Sequence, residues 1–282
     1  MGSEMCIRDS NGVDGGSTEG IFAYMQNVLV TSVVPSEGAV MGGTSVVLRV
    51  SGLTATSDGV RCLFGQATVH GVMRENGSVE CVSPSSKVAG KVTLKLEGYN
   101  GGAAFTYFEA PTVALIRPSR GSLVGGASAT LTGSNLAGSL VQCRFGTTVV
   151  DGTSVRVVSS TAVVCFSPLM ATAGTVGVEV SVNGGADYTS DGREYLYQAG
   201  ATVTRMHPSR GLAGEDGQVV TVVGENFEQT GELSCRFGLN GTVRGLFMSS
   251  TLIACTAPSR GAGTVQVSVT LNGAESSEAC AV

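Results

Sequence analysis

The sequence of 282 residues contains no tryptophan, two histidines (His70 and His207) and few charged residues, which make up 14 % of the chain. Two histidines leave little for acid–base catalysis, and a zinc site would need clustered Cys and His ligands that the sequence lacks. The net charge of −5 and the isoelectric point near 5.1 have the wrong sign for a phosphate-binding surface, so the composition excludes nucleic acid as a partner. The abundance of glycine, at 41 residues, favours short strands with tight turns over long helices.

One cysteine pattern occurs three times, at intervals of roughly 80–90 residues. Each copy begins with Cys-x-Phe-Gly and is followed about twenty residues later by a second cysteine with a proline close behind it. Paired cysteines without metal-binding knuckles predict one disulfide per unit and an oxidising compartment, each bridge contributing about 3 kcal/mol. The predicted pairs are Cys62 with Cys81, Cys143 with Cys165, and Cys235 with Cys255.

Three further motifs keep their order within the units. A Pro-Ser-x-Gly segment comes first, and its proline and permissive glycine predict a turn after the first strand. After the second cysteine, apolar residues alternate with polar ones, which predicts a strand with one buried face. An aromatic-x-Tyr step then closes the first two units. The Pro-Ser-x-Gly segments begin at Pro35, Pro118 and Pro208, and the aromatic steps are Phe105-Thr106-Tyr107 and Tyr195-Leu196-Tyr197.

About seven short strands per unit and one cysteine pair predict an antiparallel sandwich of immunoglobulin type. The order of the motifs resembles the IPT/TIG domain, the early-set immunoglobulin-like module of plexins, Met-type receptors and fibrocystin. The segments 133–136 and 224–227 fit that family's Gly-x-Asn-Phe turn, whereas the first unit shows only Gly52-Leu53 there. The resemblance implies an all-β chain of tandem IPT/TIG sandwiches with one disulfide each.

The repeats divide the chain into expected units. Residues 28–109, 111–199 and 201–282 are predicted to be repeats 1 to 3, the third ending before its last strand. Residues 11–26 are expected to be the terminal strand of a truncated preceding repeat, and residues 1–10 a non-native leader. Cys6, in that leader, and Cys280 have no assigned role.

Other candidate sites are few. Asn76-Gly77-Ser78 and Asn240-Gly241-Thr242 are glycosylation sequons, and their Asn-Gly pairs also favour a two-residue hairpin turn. Glu215 and Asp216 do not predict a calcium loop, because the other units have no acids at that place. The turn arginines, which are either solvated or available to an acidic partner, are Arg120, Arg210 and Arg260.

The interpretation favoured by these patterns is a non-enzymatic segment of an extracellular or cell-surface protein, acting as a spacer and as a protein- or glycan-binding scaffold. It implies no cofactor, no metal, no nucleic acid and no membrane contact within the segment. An alternative is an accessory region of a polysaccharide-processing enzyme. A second alternative, an intracellular DNA-binding factor of Rel type, is opposed by the acidic charge and the cysteine pairs.

Overall fold

The computed structural model describes residues 28–53, 59–99, 101–239 and 241–277. These residues form three all-β domains, and their one helix is a 3₁₀ turn at Gly152–Ser154. The predicted all-β class with one disulfide per domain is therefore confirmed. The expected leader (1–10), the expected strand in 11–26 and residues 278–282, on which the truncation of repeat 3 depends, lie outside the described residues.

The first domain is one continuous eight-stranded sheet that folds over its own core, in the order β1-β3-β6-β5-β4-β7-β8-β2. All the pairings are antiparallel except that of β2 with β8, which is parallel. The strands are β1 (Leu29–Val34), β2 (Glu37–Ala39), β3 (Ser45–Ser51), β4 (Val60–Phe64), β5 (Ala67–Met73), β6 (Val79–Val82), β7 (Gly90–Leu96) and β8 (Gly102–Phe108).

The second domain separates the same topology into two sheets, because the strand equivalent to β5 is interrupted by the 3₁₀ turn. The sheets have the orders β10-β17-β16-β12-β13 and β14-β15-β11-β9. The strands are β9 (Thr112–Arg117), β10 (Arg120–Ser122), β11 (Ser128–Ser134), β12 (Gln142–Phe145), β13 (Thr148–Val150), β14 (Val155–Ser159), β15 (Ala162–Phe166), β16 (Gly174–Ser181) and β17 (Arg193–Gln198).

The described part of the third domain has six strands in the order β18-β19-β22-β21-β20-β23. Its long β21 pairs with both β20 and β22 and so joins the two layers, as β5 does in the first domain. The strands are β18 (Thr202–His207), β19 (Val219–Glu225), β20 (Ser234–Phe237), β21 (Gly241–Ser249), β22 (Leu252–Thr256) and β23 (Val267–Thr270).

The cores lie where the sequence pattern placed them. In β16, Val178 and Val180 are buried while Glu179 between them points outward, which confirms the alternation. The aromatic-x-Tyr step buries both of its rings because residues two apart on a strand share a face. In the second domain Tyr195 and Tyr197 pack edge-on against Phe145, with ring centroids 5.4 and 6.4 Å away. In the third domain, Val265 begins the corresponding alternation with Val267 and Val269, but it is 43 % exposed and lies outside β23.

Candidate functional site

The six predicted cysteines lie in three bonded pairs, all of them buried. The Cα atoms of each pair are 6.3 to 6.4 Å apart. In the second domain the bond joins β12 of one sheet to β15 of the other, so sulfur ties the two layers directly. The bonds belong to the fold and offer no free thiol for chemistry.

The remaining candidates do not assemble into a catalytic or metal site. His70 and His207 are exposed on separate domains. Asp216 accepts a hydrogen bond from the main-chain nitrogen of Ser259, and so ties its loop to the segment after β22. Among the residues that the structure describes, no group of three or more His, Cys, Asp or Glu side chains is placed to hold a metal ion.

The sequon at Asn76 lies on an exposed turn between β5 and β6. The hairpin is confirmed, but it is a three-residue turn rather than the predicted two-residue one. Glu75 and Asn76 are its central residues, and Gly77 follows with φ of 78°. The Asn76 side-chain oxygen accepts hydrogen bonds from the Ser78 nitrogen (3.0 Å) and hydroxyl (2.7 Å). The second sequon asparagine, Asn240, lies outside the described residues.

The linkers between domains are held by the asparagines of the Gly-x-Asn turns. Asn135 and Asn226 have φ of 55° and 58°, a conformation that asparagine tolerates better than most residues. Asn135 donates from its side-chain amide to the main-chain oxygen of Ala110 (3.2 Å), and Asn226 donates likewise to Gly200 (3.1 Å). The second and third domains therefore fix the segments of chain that enter them.

A loop of each following domain contacts the Pro-Ser-x-Gly segment of the domain before it. At the first joint, Asn183 donates from Nδ2 to the main-chain oxygen of Glu37 (3.3 Å). At the second joint, Asn272 donates from Nδ2 to the main-chain oxygen of Arg120 (2.9 Å). Glu37 and Arg120 hold the same x position of the motif, so the two joints use one contact twice. Residues 183–187 and 272–275 are called the joint loops below.

Each joint loop is organised by its own asparagine and acid. The Oδ1 atom of Asn183 accepts from the main-chain nitrogen of Asp187 (3.0 Å), while its Nδ2 donates to the Asp187 carboxylate (2.8 Å). Asn272 makes the same two bonds with Glu275, at 2.9 and 3.1 Å. Both asparagines are at least nine-tenths buried. Because all these polar atoms are paired, the loops are preorganised for the domain they contact.

The side chain at the x position also contacts the following domain. Glu37 accepts a hydrogen bond from the Ser139 hydroxyl. Arg120 forms an ion pair with Glu228 at 2.8 Å, and both side chains are partly exposed. The acidic partner that the sequence left open for Arg120 is thus a residue of the same chain, whereas Arg260 donates within its own domain to the main-chain oxygen of Phe237 (2.9 Å). Partly exposed ion pairs contribute little, so the main-chain bonds set the geometry.

The glycine of Pro-Ser-x-Gly has a different role from the predicted one. Gly38 and Gly121 do not have positive φ, so the backbone does not require glycine there. A methyl group on Gly121 would overlap the Tyr195 hydroxyl, and one on Gly38 would overlap the Thr44 hydroxyl. These glycines are needed for space above a buried side chain. The preceding prolines, Pro35, Pro118 and Pro208, all follow cis peptide bonds.

Both joints form grooves. The larger groove, of about 650 Å³, lies between the second and third domains and contains Gly121, Gln198, Asn272 and Glu275. The smaller one, of about 400 Å³, lies between the first and second domains. The described residues lining them are aliphatic, small or polar, and they include no aromatic side chain. Neither groove offers the aromatic platform on which a sugar ring stacks.

Sequence reasoning missed the joint loops. Their signal is present, since Val182-Asn183-Gly184 and Leu271-Asn272-Gly273 stand at the same place in two units, and an acid follows each. An acid three or four residues after a turn asparagine is nevertheless common on protein surfaces. Only the contact across the domain boundary distinguishes it.

Comparison with known proteins matches the three repeats to one family of domains. The family model for the IPT/TIG domain matches residues 29–107, 111–197 and 201–281. Human plexin-B1 is 33 % identical over 134 residues, which are 43 % of this chain and 6 % of plexin-B1. Mouse plexin-B2 is 29 % identical over 150 residues, which are 50 % of this chain and 8 % of plexin-B2. The chain thus spans less than a tenth of the length of these relatives.

Two solved structures also align with this chain. The full extracellular region of plexin A4 aligns with 87 % of this chain and 23 % of its own, at 19 % identity and a TM-score of 0.47. A protein of the Bacteroides ovatus mixed-linkage glucan utilization locus, solved with a mixed-linkage heptasaccharide, aligns with 85 % of this chain and 60 % of its own, at 18 % identity and a TM-score of 0.29. No described segment forms a helix long and apolar enough to span a membrane. With its three matched repeats, the chain belongs to the IPT/TIG domain family.

Proposed function

We propose that this chain is a non-catalytic segment of a larger extracellular or cell-surface protein, in which the three domains form a spacer of fixed geometry. The observation that carries the proposal is the repeated joint, in which Asn183 and Asn272 make the same contact with the preceding domain. If the domains were joined flexibly, the same buried polar contact would not be expected at both boundaries. The domain limits we propose are residues 28–109, 111–199 and 201–282.

An extracellular location is supported by the disulfides. Three buried bonds, one in each domain, form and persist in oxidising compartments and are rare in the cytosol. The similarity to plexins, which is limited to a small part of those proteins, points the same way. In a spacer of this kind the exposed loops at the ends of the sandwiches are the surfaces available to a protein or glycan ligand.

The linker contacts allow the spacer to be tested. Replacing both Asn135 and Asn226 with glycine keeps positive φ accessible but removes the hydrogen bonds to Ala110 and Gly200. We expect small-angle X-ray scattering to show a broader distribution of interatomic distances and a larger mean radius of gyration than in the unmutated chain. The Asn76→Gly variant is the control, because it removes an asparagine from a turn distant in sequence from both linkers. An unchanged distribution in the double variant would count against the proposed spacer.

We also propose that Asn76 and Asn240 carry glycans. Asn76 is exposed, and its side-chain oxygen is already bonded to Ser78, the third residue of the sequon. When the chain is secreted from eukaryotic cells, we expect N-glycosidase treatment to lower its mass. In the Asn76→Gln variant, the decrease in mass should be smaller by the mass of one glycan. An equal shift in the variant and the unmutated chain would show that Asn76 is not modified.

The alternative, an accessory region of a polysaccharide-processing enzyme, makes a different prediction about ligands. It requires binding to insoluble or soluble polysaccharide, although neither joint groove has an aromatic lining among its described residues. Pull-down of the oxidised full chain with mixed-linkage glucan and cellulose tests the binding that this role requires. Absence of retention on both polysaccharides would count against the enzyme-associated role, whereas retention is compatible with both proposals and leaves the spacer to be tested by scattering.

A further inference from the structure

A polar group lies beneath the glycine of the Pro-Ser-x-Gly segment in every domain, but its source differs. In the first domain the group is a threonine hydroxyl, in the second a tyrosine hydroxyl, and in the third a glutamine amide oxygen. In each case a methyl group on the glycine would overlap that atom. The three pairs are Gly38 with Thr44, Gly121 with Tyr195, and Gly211 with Gln218.

The first two domains place this hydroxyl at different positions and on different residue types. Thr44 and Ala127 are structurally equivalent, since their main-chain oxygens accept from Ser83 and Ser167 respectively, both at 2.8 Å. The second domain therefore has no hydroxyl at the threonine position. It has one on the aromatic ring instead, because Tyr195 stands where the first domain has Phe105.

The acid of the joint loop also differs between the two joints, as the buried hydroxyl does. Asp187 accepts from the Thr44 hydroxyl at 2.7 Å across the first joint. Across the second joint, Glu275 accepts from the main-chain nitrogen of Ser122 at 2.8 Å. The Glu275 side chain is one methylene longer than that of Asp187, and its loop is one residue shorter. The carboxylate of Glu275 and the hydroxyl of Tyr195 both lie against Gly121.

The Tyr195 hydroxyl lacks a hydrogen-bond partner although its side chain is fully buried. Burial raises the pKa of this phenol to about 12, and the charge of Glu275 acts in the same direction. The phenol is therefore protonated at physiological pH and can donate to a carboxylate. A buried donor without a partner is costly, and a bond to the Glu275 carboxylate, which lies against the same glycine, would remove that cost.

We infer that the buried hydroxyl and the acid of the next domain form matched pairs, Thr44 with Asp187 and Tyr195 with Glu275, which determine which repeat each domain accepts as its neighbour. The inference rests on the proposed spacer and adds its specificity. The surface of the first domain fits a repeat whose joint loop ends in aspartate, and that of the second fits one whose shorter loop ends in glutamate. The position equivalent to Thr44 varies among the three domains while the main-chain bond beside it is kept, as expected of a specificity-determining residue.

The Tyr195→Phe variant of the full chain tests the second pair. It removes the hydroxyl and keeps the ring, so the domain should stay folded. The amide hydrogen of Ser122 bonds to Glu275 across the joint, and its exchange with solvent therefore reports opening of that joint. If the Tyr195 hydroxyl bonds to Glu275 as we propose, the variant loses that bond, and we expect this exchange to become about tenfold faster, the effect of losing one hydrogen bond to a charged group. Tyr107→Phe is the matched control, since the Tyr107 hydroxyl donates within its own domain to the main-chain oxygen of Pro84 (2.9 Å).

Transplanting one pair into the other joint tests the matching itself. Glu275→Asp alone leaves the second joint with an acid too short for its partner, and we expect the amide residual dipolar couplings of the second and third domains to need two alignment tensors. Adding Ala127→Thr, Tyr195→Phe and one glycine inserted after Gly273 recreates both the chemistry and the loop length of the first joint, and the couplings should again fit one tensor. If this combined variant is no better ordered than Glu275→Asp, the matched pairing is wrong.

The controls separate this inference from the proposed function. Couplings of the unmutated chain that need separate tensors would overturn the spacer itself. A single tensor in the unmutated chain, combined with unchanged Ser122 exchange in Tyr195→Phe, would overturn only the matched pairing.

Discussion

The second domain should unfold at a much lower urea concentration than the other two when its disulfide is removed by the double substitution Cys143→Ala and Cys165→Ala. The bond closes a loop with a sequence separation of 22 residues, and its loss should cost about 3 kcal/mol from chain entropy. Both sulfurs are fully buried between the two sheets, so the substitutions also leave a cavity. A domain of this size has a total stability of about 5–10 kcal/mol, so roughly half of it is lost.

The measurement is urea unfolding followed by hydrogen exchange, which resolves the domains individually. The second domain should acquire a transition at lower urea, while the first and third keep theirs. Cys6→Ser is the control, because Cys6 belongs to none of the three bonds. A second-domain midpoint equal to that of the unmutated chain would mean that the bond does not stabilise the domain.

Gly133→Ala should destabilise the second domain by about 3 kcal/mol, because the new methyl group meets backbone rather than a movable side chain. Gly133 lies in β11 opposite the bulge of β9, and a Cβ atom there would overlap the main-chain oxygen of Thr112. Gly224 in the third domain stands in the same relation to the main-chain oxygen of Thr202. The glycine of the Gly-x-Asn turn is thus required by the close approach of the domain's first strand.

Gly177→Ala is the matched control for this prediction. Gly177 is also a strand glycine of the second domain, in β16, but a Cβ atom there has no neighbour within 4 Å. Its substitution should change the free energy of unfolding by no more than about 0.5 kcal/mol. Equal midpoints for the two variants in urea unfolding would refute the role assigned to Gly133.

The sequence was sufficient for features that recur with a fixed period. The cysteine pairs and the alternation around Val178 and Val180 follow from repetition and from the two-residue period of strands. Each of these patterns is local or is repeated three times. Their agreement across the units made the fold predictable.

The joints could not be predicted, because their contacts join residues far apart in the sequence. Asn272 and the Arg120 oxygen are separated by 152 residues, and no periodicity relates them. The motif glycine Gly121 was assigned to backbone freedom, whereas its cause is the ring of Tyr195 on another strand. The Asn76 turn was mistaken by one residue because an Asn-Gly pair fits both two- and three-residue hairpins.

The most direct test of a fixed row of domains is a set of amide residual dipolar couplings recorded on the oxidised, unmutated chain in one alignment medium. If the joints hold, as the contacts of Asn183 and Asn272 require, the couplings of all three domains fit a single alignment tensor. Three tensors of different magnitude would show that the domains move independently, and would contradict the account.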